Sequence, residues 1–407
     1  MDRELLEKLK SGEVSFHEIG KMFDAGTSIE LRRTAVSELT GTEFRHIDHF
    51  SFDPEDVTKR NIENMIGAVQ VPLGVAGPLR VRGEYAKGDF YIPLATTEGA
   101  LVASADRGCS VITACGGANA RIFGDGMTRA PVFRAKDIIG AKRLVDWVRD
   151  AENFQRLKKE AEETTNFGRL LAIEPFVAGR SVFLRFHYDT GDAMGMNMVT
   201  IATDAAVDIV LAENDVELVA LSGNMCSDKK PAAINSVMGR GKTVSADLII
   251  GDDMIREKLK TTAWKMAEVN YRKNLIGSAR AGSLGFNAHA ANIAAAIFIA
   301  CGQDAAHVVE ASNAMTTMEL TDGGLYCSAT LPSLAVGTVG GGTRLGAQFE
   351  CLDMLDAAGA GNPSGVNSRK LAEITAAAIL AGEISLIAAL AARHLAKAHA
   401  ELGRKQK

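Results

Sequence analysis

The sequence has no CxxC pair and no tight group of cysteines; its six (Cys109, Cys115, Cys226, Cys301, Cys327 and Cys351) are scattered. That excludes a disulfide framework and a zinc site. The cysteines read as small buried hydrophobes in a reducing compartment, and no metal is called for. There is no basic excess either. Lys and Arg number 45 against 50 Asp and Glu, a net charge of −5, which argues against a nucleic-acid partner. The opening MDRELLEKLK carries acids and no apolar core, so it is not a signal peptide. The longest uncharged apolar run, 293–302, is about half of the roughly 20 residues a membrane span needs. Internal repeats and a low-complexity tail are also missing. These absences leave a soluble, cytoplasmic protein with no membrane partner as the expectation.

What is present suits two or three folded domains: 407 residues, 47% hydrophobic and 23% charged. Residues 1–50 read as charged helices, with Leu5, Leu6 and Leu9, then Ile19, Met22 and Phe23, at helical spacing. The stretch 64–78, NMIGAVQVPLGVAGP, is too apolar for a solvated linker and too rich in Gly and Pro for a regular helix. It is expected in a core or against another subunit. A strand at 90–94 leads to a helix from near Thr97 to before Gly116. Between 131 and 221 the texture is α+β, with helices at 136–150 and 152–164 and strands at 169–175, 180–188 and 194–200. A helix near 204–213 and a strand at 216–221 close this segment, which has the size of an inserted domain. The Ala- and Gly-rich remainder suggests helices at about 253–271, 287–301, 303–316 and 368–400.

Several residues are candidates for chemistry. In SGNMCSDKKPAAINSVMGRGK (222–242), Lys229 and Lys230 lie in an uncharged loop. An extended backbone would point their ammonium groups to opposite sides, one toward a reacting carbonyl and one toward a carboxylate. A lysine stays cationic unless deeply desolvated, which suits stabilising an oxyanion; a solvated surface pair is the plain alternative. Glu98 in TTEG stands at a helix start, as a dipole-favoured carboxylate or as a general acid with its pKa raised by an apolar setting. Asp304 in CGQDAAH reads as a cap, of interest only if it meets Lys229 or Glu98 in space. His394 and His399 are five apart and cannot form an i, i+4 metal pair; either is favoured near a helix C-terminus, or is a proton donor. GTVGGGT (337–343) offers backbone N–H groups to a phosphate but lacks the lysine of a P-loop. In GDAMGMNM (191–198), Met194, Met196 and Met198 alternate with Gly195 and Asn197 as on a strand.

Taken together and in order, ENMIG, PLGVAGPL, TTEGALVAS, DGMTRAPV, GDAMGMNM, SGNMCSDKKPAAIN, NAHAANI, GQDAAH and LAVGTVGGGT resemble the 3-hydroxy-3-methylglutaryl-CoA (HMG-CoA) reductases from about residue 50 to 400. GDAMGMNM is similar to the biosynthetic class of eukaryotes and archaea, and the missing anchor to its compact archaeal members. The resemblance implies a fold of α+β class, in which a large helix-rich substrate and dimerisation domain (51–130 and 222–384) carries an inserted ferredoxin-like cofactor domain (131–221). A helical segment (1–50) would precede it and a mobile C-terminal helix (385–407) would follow. It implies a four-electron reduction of HMG-CoA to mevalonate and CoA by NADPH, through mevaldyl-CoA hemithioacetal and mevaldehyde. It also implies active sites shared across a homodimer, or a dimer of dimers, with ENMIG at the interface.

By match to these motifs, Lys229 would stabilise the oxyanion, Glu98 supply protons, Asp304 tune both, and His399 protonate the departing thiolate. Arg129, Ser222, Lys230 and Lys273 would hold the substrate carboxylate, with Asn274 and Asn292 in the same pocket. Asp192, Met194, Gly195, Asn197 and the 337–343 loop, with Gly340, Gly341, Gly342 and Thr343, would take the cofactor. Two departures stand out. Thr165-Asn166 replaces the Ser-Arg pair with which animal members hold the 2′-phosphate, leaving Arg169 or Lys158 as substitutes. The tail ELGRKQK carries no Ser or Thr, so the regulatory phosphorylation of the animal chain is not expected. Three rivals are a CoA-dependent acyltransferase or thioesterase with Cys226 as nucleophile, a degradative reductase working with NAD, and an inactive binder.

Overall fold

The computed structural model describes residues 3–392. Three helices open the chain, α1 (Arg3–Ser11), α2 (Phe16–Met22) and α3 (Ala25–Thr40). Ser15 and Glu18 form a reciprocal capping box on α2, and Asp24 caps α3. Leu5, Leu6, Leu9, Ile19, Leu31 and Ala35 make a small core among them. After α4 (Pro54–Arg60), Met65 packs with Ile29 and Val57. The apolar 64–78 stretch therefore divides. Met65 is buried, whereas Val69, Leu73 and Val75 are 86%, 57% and 54% exposed. Its second half is strand rather than loop. β1 (Leu73–Arg82) pairs antiparallel with β2 (Lys87–Ala95) and absorbs Gly77 and Pro78 in a register shift between Ala76 and Leu79.

α5 (Leu101–Ala114) starts at Leu101 rather than near Thr97, because Ala100 takes a left-handed conformation before it. β3 (Ala118–Arg129) then serves two groups of strands. The next segment runs β4 (Val132–Ala135), α6 (Ile138–Arg149), α7 (Ala151–Glu163), β5 (Arg169–Ala178), β6 (Ser181–Asp189), α8 (Met196–Glu213) and β7 (Val216–Ala220). Its strands lie in the order β7-β4-β6-β5, every neighbour antiparallel. That is the split β-α-β pattern of ferredoxin-like folds, and it encloses a separate core around Phe133, Leu144, Leu184, Phe186 and Val207. The strand expected at 194–200 is instead the first turns of α8. Gly195 (φ +93°) turns the chain into the helix, and a Cβ there would lie 2.5 Å from Thr190 Cγ2. Methionine is a strong helix former, so the Met alternation carries no strand signal once that turn is made.

After α9 (Ala233–Met238), β8 (Gly241–Gly251) rejoins β3. The helix expected over 253–271 is broken. α10 (Asp252–Met254) passes into a π-helical turn ending at left-handed Lys260, and α11 (Ala263–Val269) passes through a second into α12 (Ser278–Ala281). α13 (Ala290–Ala300) falls within the expected 287–301. Where a helix is expected over 303–316 there is a 3₁₀ turn (Ala305–His307) and the one-turn α14 (Val308–Ala311). The hairpin of β9 (Met315–Thr321) and β10 (Gly324–Leu334) follows, with β10 against β8, then α15 (Gly346–Met354) and α16 (Val366–Ala391).

α16 is buried on all sides from Leu371 to Ser385 and packs on β8, β10, α5 and α13. By length and composition it is apolar enough to cross a membrane, yet 83% of its most apolar window is buried inside the chain, as for a central core helix. A search for uncharged runs passes over it because Glu373 and Glu383 interrupt it. Both acids are internal caps. Glu373 accepts the N–H groups of Glu84, Tyr85 and Ala86 at 2.7–2.9 Å. Glu383 accepts those of Ala288 and His289 and the Thr316 hydroxyl at 2.7–2.8 Å. Burial pushes the Glu373 carboxyl up against the pull of its three amides. α16 runs unbroken through residue 385 to Ala391. His394 and His399 lie outside the described residues.

α5 crosses α16 at Gly108, where an added Cβ would sit 2.0 Å from the Ala381 carbonyl oxygen. Gly108→Ala should lower stability by about 1–3 kcal/mol despite alanine's better helix propensity, because the two helices must part. A urea midpoint equal to that of the parent chain would refute this close approach.

Candidate active site

The loop from Ser222 to Ala232 holds Asn224, Ser227 and Lys229 in left-handed conformations (φ +63°, +41° and +57°). Non-glycine residues accept this strain, of order 1 kcal/mol or more each, only when their surroundings impose it. At Lys229 the cause is visible. Its N–H donates to Glu310 Oε1 at 2.6 Å, and Glu310 is fully buried. The backbone at the two lysines is therefore not extended. Lys229 Nζ turns to Asp304 Oδ2 at 2.7 Å, while exposed Lys230 donates to the Asp228 carbonyl at 3.0 Å.

Asp304 serves both readings proposed for it. Oδ1 caps the 3₁₀ turn by accepting Ala306 N–H at 3.1 Å, and Oδ2 pairs with Lys229. The hydrogen bond to Asp304 raises the Lys229 pKa against partial desolvation, so the ammonium persists. Burial pushes the Asp304 carboxyl up, but the Lys229 hydrogen bond and the Ala306 amide outweigh it and hold the group below its usual value.

Behind this pair lies a cluster that the sequence reasoning missed. Arg240, fully buried, donates to Glu310 Oε1 at 3.1 Å and to Asp228 Oδ1 at 2.9 Å. His307 stands between them, with Nδ1 3.5 Å from Glu310 Oε1 and 3.4 Å from Arg240 Nη1. Asp228, His307 and Glu310 come close enough to suggest a metal site. The guanidinium already occupies the space between the two carboxylates and meets their charge, so the donor set suits an ion network. A signal was available: Asp304, His307 and Glu310 follow at intervals of three in apolar text, the period of a 3₁₀ turn.

Lys229, Asp304 and Asp228 line a cleft of about 830 Å³ together with Arg129, Met194, Gly195, Asn197 and the glycines 340–342 with Thr343. The cleft brings together the N-terminus of α8, whose first N–H groups are open, and the 337–343 loop. That loop is pinned close to α8: Gly337 N–H donates to Gln303 Oε1 at 2.8 Å, and a Cβ on Gly337 would lie 2.3 Å from Met194 N. Arg129 Nε is buried there without a hydrogen-bond partner. Asp192 does not line the cleft. It is buried and accepts the N–H groups of Gly361, Gly365 and Ser368 at 2.8–2.9 Å, tying the small domain to the start of α16.

The other candidates gather elsewhere, around residues 288–292. Asn292 Nδ2 donates to Glu98 Oε1 at 3.3 Å. Lys273 Nζ donates to Asn274 Oδ1 at 3.1 Å and lies 3.5 Å from the Ala288 carbonyl. Glu98 is exposed rather than set in apolar surroundings, and is not among the residues lining the cleft. Ser222 contacts Cys226, Oγ to Sγ 3.3 Å. Cys226 is fully buried, which does not suit a nucleophile.

The model of the hydroxymethylglutaryl-coenzyme A reductase family matches residues 28–404. The 3-hydroxy-3-methylglutaryl-coenzyme A reductase of Haloferax volcanii is 56% identical over 400 residues, 98% of each chain. That of Methanocaldococcus jannaschii is 53% identical over 407 residues, 98% of this chain and 99% of the relative. Among solved structures, the class II 3-hydroxy-3-methylglutaryl-CoA reductase from Streptococcus pneumoniae bound to NADPH in open conformations superposes with a TM-score of 0.66. At 20% identity, covering 93% of this chain and all of that one, it speaks to the fold alone.

Glu310→Gln leaves Arg240 with Asp228 as its one carboxylate and loosens the Lys229 turn. Removing one partner of a buried pair costs about 3–5 kcal/mol, so thermal and urea unfolding should both show a large loss. A change below about 1 kcal/mol, the size of an exposed pair, would show that this cluster is not the anchor of the loop.

Proposed function

Since the chain belongs to the hydroxymethylglutaryl-coenzyme A reductase family, we propose that it reduces (S)-HMG-CoA to (R)-mevalonate and CoA with NADPH, in mevalonate synthesis. The observation that carries the mechanism is the Lys229–Asp304 pair in the wall of a cleft that an open helix N-terminus also lines. The residues present suit NADPH. The first amides of α8 and the positive-φ Gly340 and Gly341 offer N–H groups to its phosphates. When bound, NADPH supplies hydride to the substrate carbon.

The chain's own task is the oxygen and the sulfur. As the thioester carbon is reduced, charge grows on its oxygen, and the Lys229 ammonium meets it. Asp304 keeps that ammonium charged and aimed. Collapse of the hemithioacetal breaks the C–S bond and leaves a thiolate, which needs only a weak acid; the motif match assigns this to His399, outside the described residues. The same lysine then meets the aldehyde oxygen, and Glu98 provides its proton. The module 131–221 holds the cofactor, and Lys230, Ser222 and Arg129 face the substrate carboxylate. Six free cysteines, five of them buried, suit a reducing cytoplasm.

Glu98, Asn292, Lys273 and Asn274 form a group apart from the Lys229 cleft, so we assign each working site to two copies of the chain. Exposed Val69, Leu73, Val75 and Tyr91, beside ENMIG, are the apolar surface for that contact.

NADPH and NADH absorbance should be followed in parallel on adding HMG-CoA. Two NADPH oxidised per CoA released is the expected result, and decay with NADH alone would move the chain to the degradative direction. For the 2′-phosphate Arg169 is favoured over Lys158: Lys158 is ion-paired with Glu162 at 3.0 Å, whereas Arg169 meets the backbone carbonyls of Gly168 and Asn166 at 2.9 and 3.5 Å and keeps its charge for a phosphate. Arg169→Ala should raise KM for NADPH about tenfold, one charge-assisted contact, and leave NADH unchanged; an equal rise for both would clear Arg169 of the role.

Lys229→Ala and Glu98→Gln should each nearly abolish turnover, since one oxyanion donor is worth about 10²–10³ in rate. Mixed and reassembled, the two inactive chains should recover about a quarter of the parent activity, because half the pairs are mixed and each holds one intact site. No recovery would place Glu98 and Lys229 in the same copy.

A further inference from the structure

His307 is the one fully buried imidazole of the Lys229 network that the proposed chemistry leaves without work. Its Nδ1 lies between Arg240 Nη1 at 3.4 Å and Glu310 Oε1 at 3.5 Å, whereas Nε2 faces only carboxylate oxygens, which accept, so Nε2 carries a proton. That Nε2–H faces two carboxylate oxygens, Asp304 Oδ2 at 3.7 Å and Asp228 Oδ1 at 3.6 Å, and is hydrogen-bonded to neither. A buried donor without a partner carries its full desolvation cost and is rare without a reason.

The reason follows from what the neighbours do. Asp228 Oδ1 is already taken by Arg240 Nη2 at 2.9 Å, and Asp304 Oδ2 by Lys229 Nζ at 2.7 Å. Only the second of these is temporary. When the Lys229 ammonium turns to a developing oxyanion, Asp304 Oδ2 loses its partner while Oδ1 stays fixed on Ala306 N–H.

The geometry points to His307 as a positioning residue: its Nε2–H closes on Asp304 Oδ2 when Lys229 leaves, so that the carboxylate stays ionised, aimed, and ready to take the ammonium back between the two reductions. This rests on the roles given above to Lys229 and Asp304. The groups facing the imidazole are Asp304, Asp228, Glu310 and Arg240, and of these Asp304 alone exchanges its partner during turnover.

The test uses the full chain with His307→Leu and His307→Gln, the glutamine amide restoring an N–H toward Asp304. The leucine variant should lose kcat about 10- to 100-fold, the worth of one hydrogen bond to a charged group, with KM for HMG-CoA and NADPH within about twofold. Its acid limb should move to higher pH, because a hydrogen bond to the charged form of Asp304 has been removed. Glutamine should recover most of kcat and return the limb. Parent-like kcat in the leucine variant, equal losses in both variants, or a loss lying wholly in KM would each overturn the assignment. Should the leucine variant not fold, His307→Asn, whose amide is too short to reach Asp304, takes its place with the same expectations. Asp304→Ala, measured alongside, separates the two readings. If it keeps more than about a tenth of the parent activity, the site assignment itself fails; if it is inactive while His307→Leu is not, only the role of His307 fails.

Discussion

One buried carboxylate organises the reactive part of this chain. Glu310 holds the amide of Lys229 and the guanidinium of Arg240 from a position no solvent reaches. The amide contact fixes a left-handed turn that lysine does not adopt by preference, and the turn aims Nζ at Asp304. The guanidinium contact ties Asp228, the residue before that lysine, to the same anchor. Strain, charge and direction at the Lys229 ammonium thus share a single origin. The neighbouring 3₁₀ turn and the α-helical turn after it supply the geometry, because a spacing of three keeps Asp304, His307 and Glu310 on one side.

The acids of the central helix work on the same principle at longer range. Glu383 sits in the middle of an apolar helix and grips the amides of Ala288 and His289, which sets the turn that carries Asn292. Glu373 grips the β1–β2 turn in the same way. Asp192 reverses the direction: a loop of the small domain sends a carboxylate to the amides at the start of α16. Each is a buried carboxyl group met by backbone N–H groups rather than by a counter-ion. Such contacts are directional, which positions loops more narrowly than apolar packing does.

The legible part of this molecule was the part written in periodicity and in motif order. The helices of the 131–221 segment, its strands β5, β6 and β7 and α13 follow from apolar spacing, and the meeting of Lys229 with Asp304 from their text. What misled was local. The Met alternation of 194–198 imitates a strand because a left-handed glycine, invisible to a period-2 reading, turns the chain into a helix. The 303–316 stretch is apolar enough for a helix, but its polar residues repeat at three and the chain then enters a strand. The adjacent lysines suggested an extended backbone, whereas their separation comes from strain imposed by a residue 81 positions away in sequence. No local pattern reports such a contact.

The two groups of candidate residues carry the remaining argument. One chain assembles the cleft, the ammonium and its carboxylate, while Glu98 and Asn292 meet each other outside the residues that line it. A buried acid stands behind each group, Glu310 behind Lys229 and Glu383 behind the turn that carries Asn292. Beside the second group, the exposed valines and leucine of 69–75 leave apolar surface of the kind that a second copy covers. In the reading proposed above, association would do more than add stability: the acid of one copy would reach the oxygen that the lysine of the other holds.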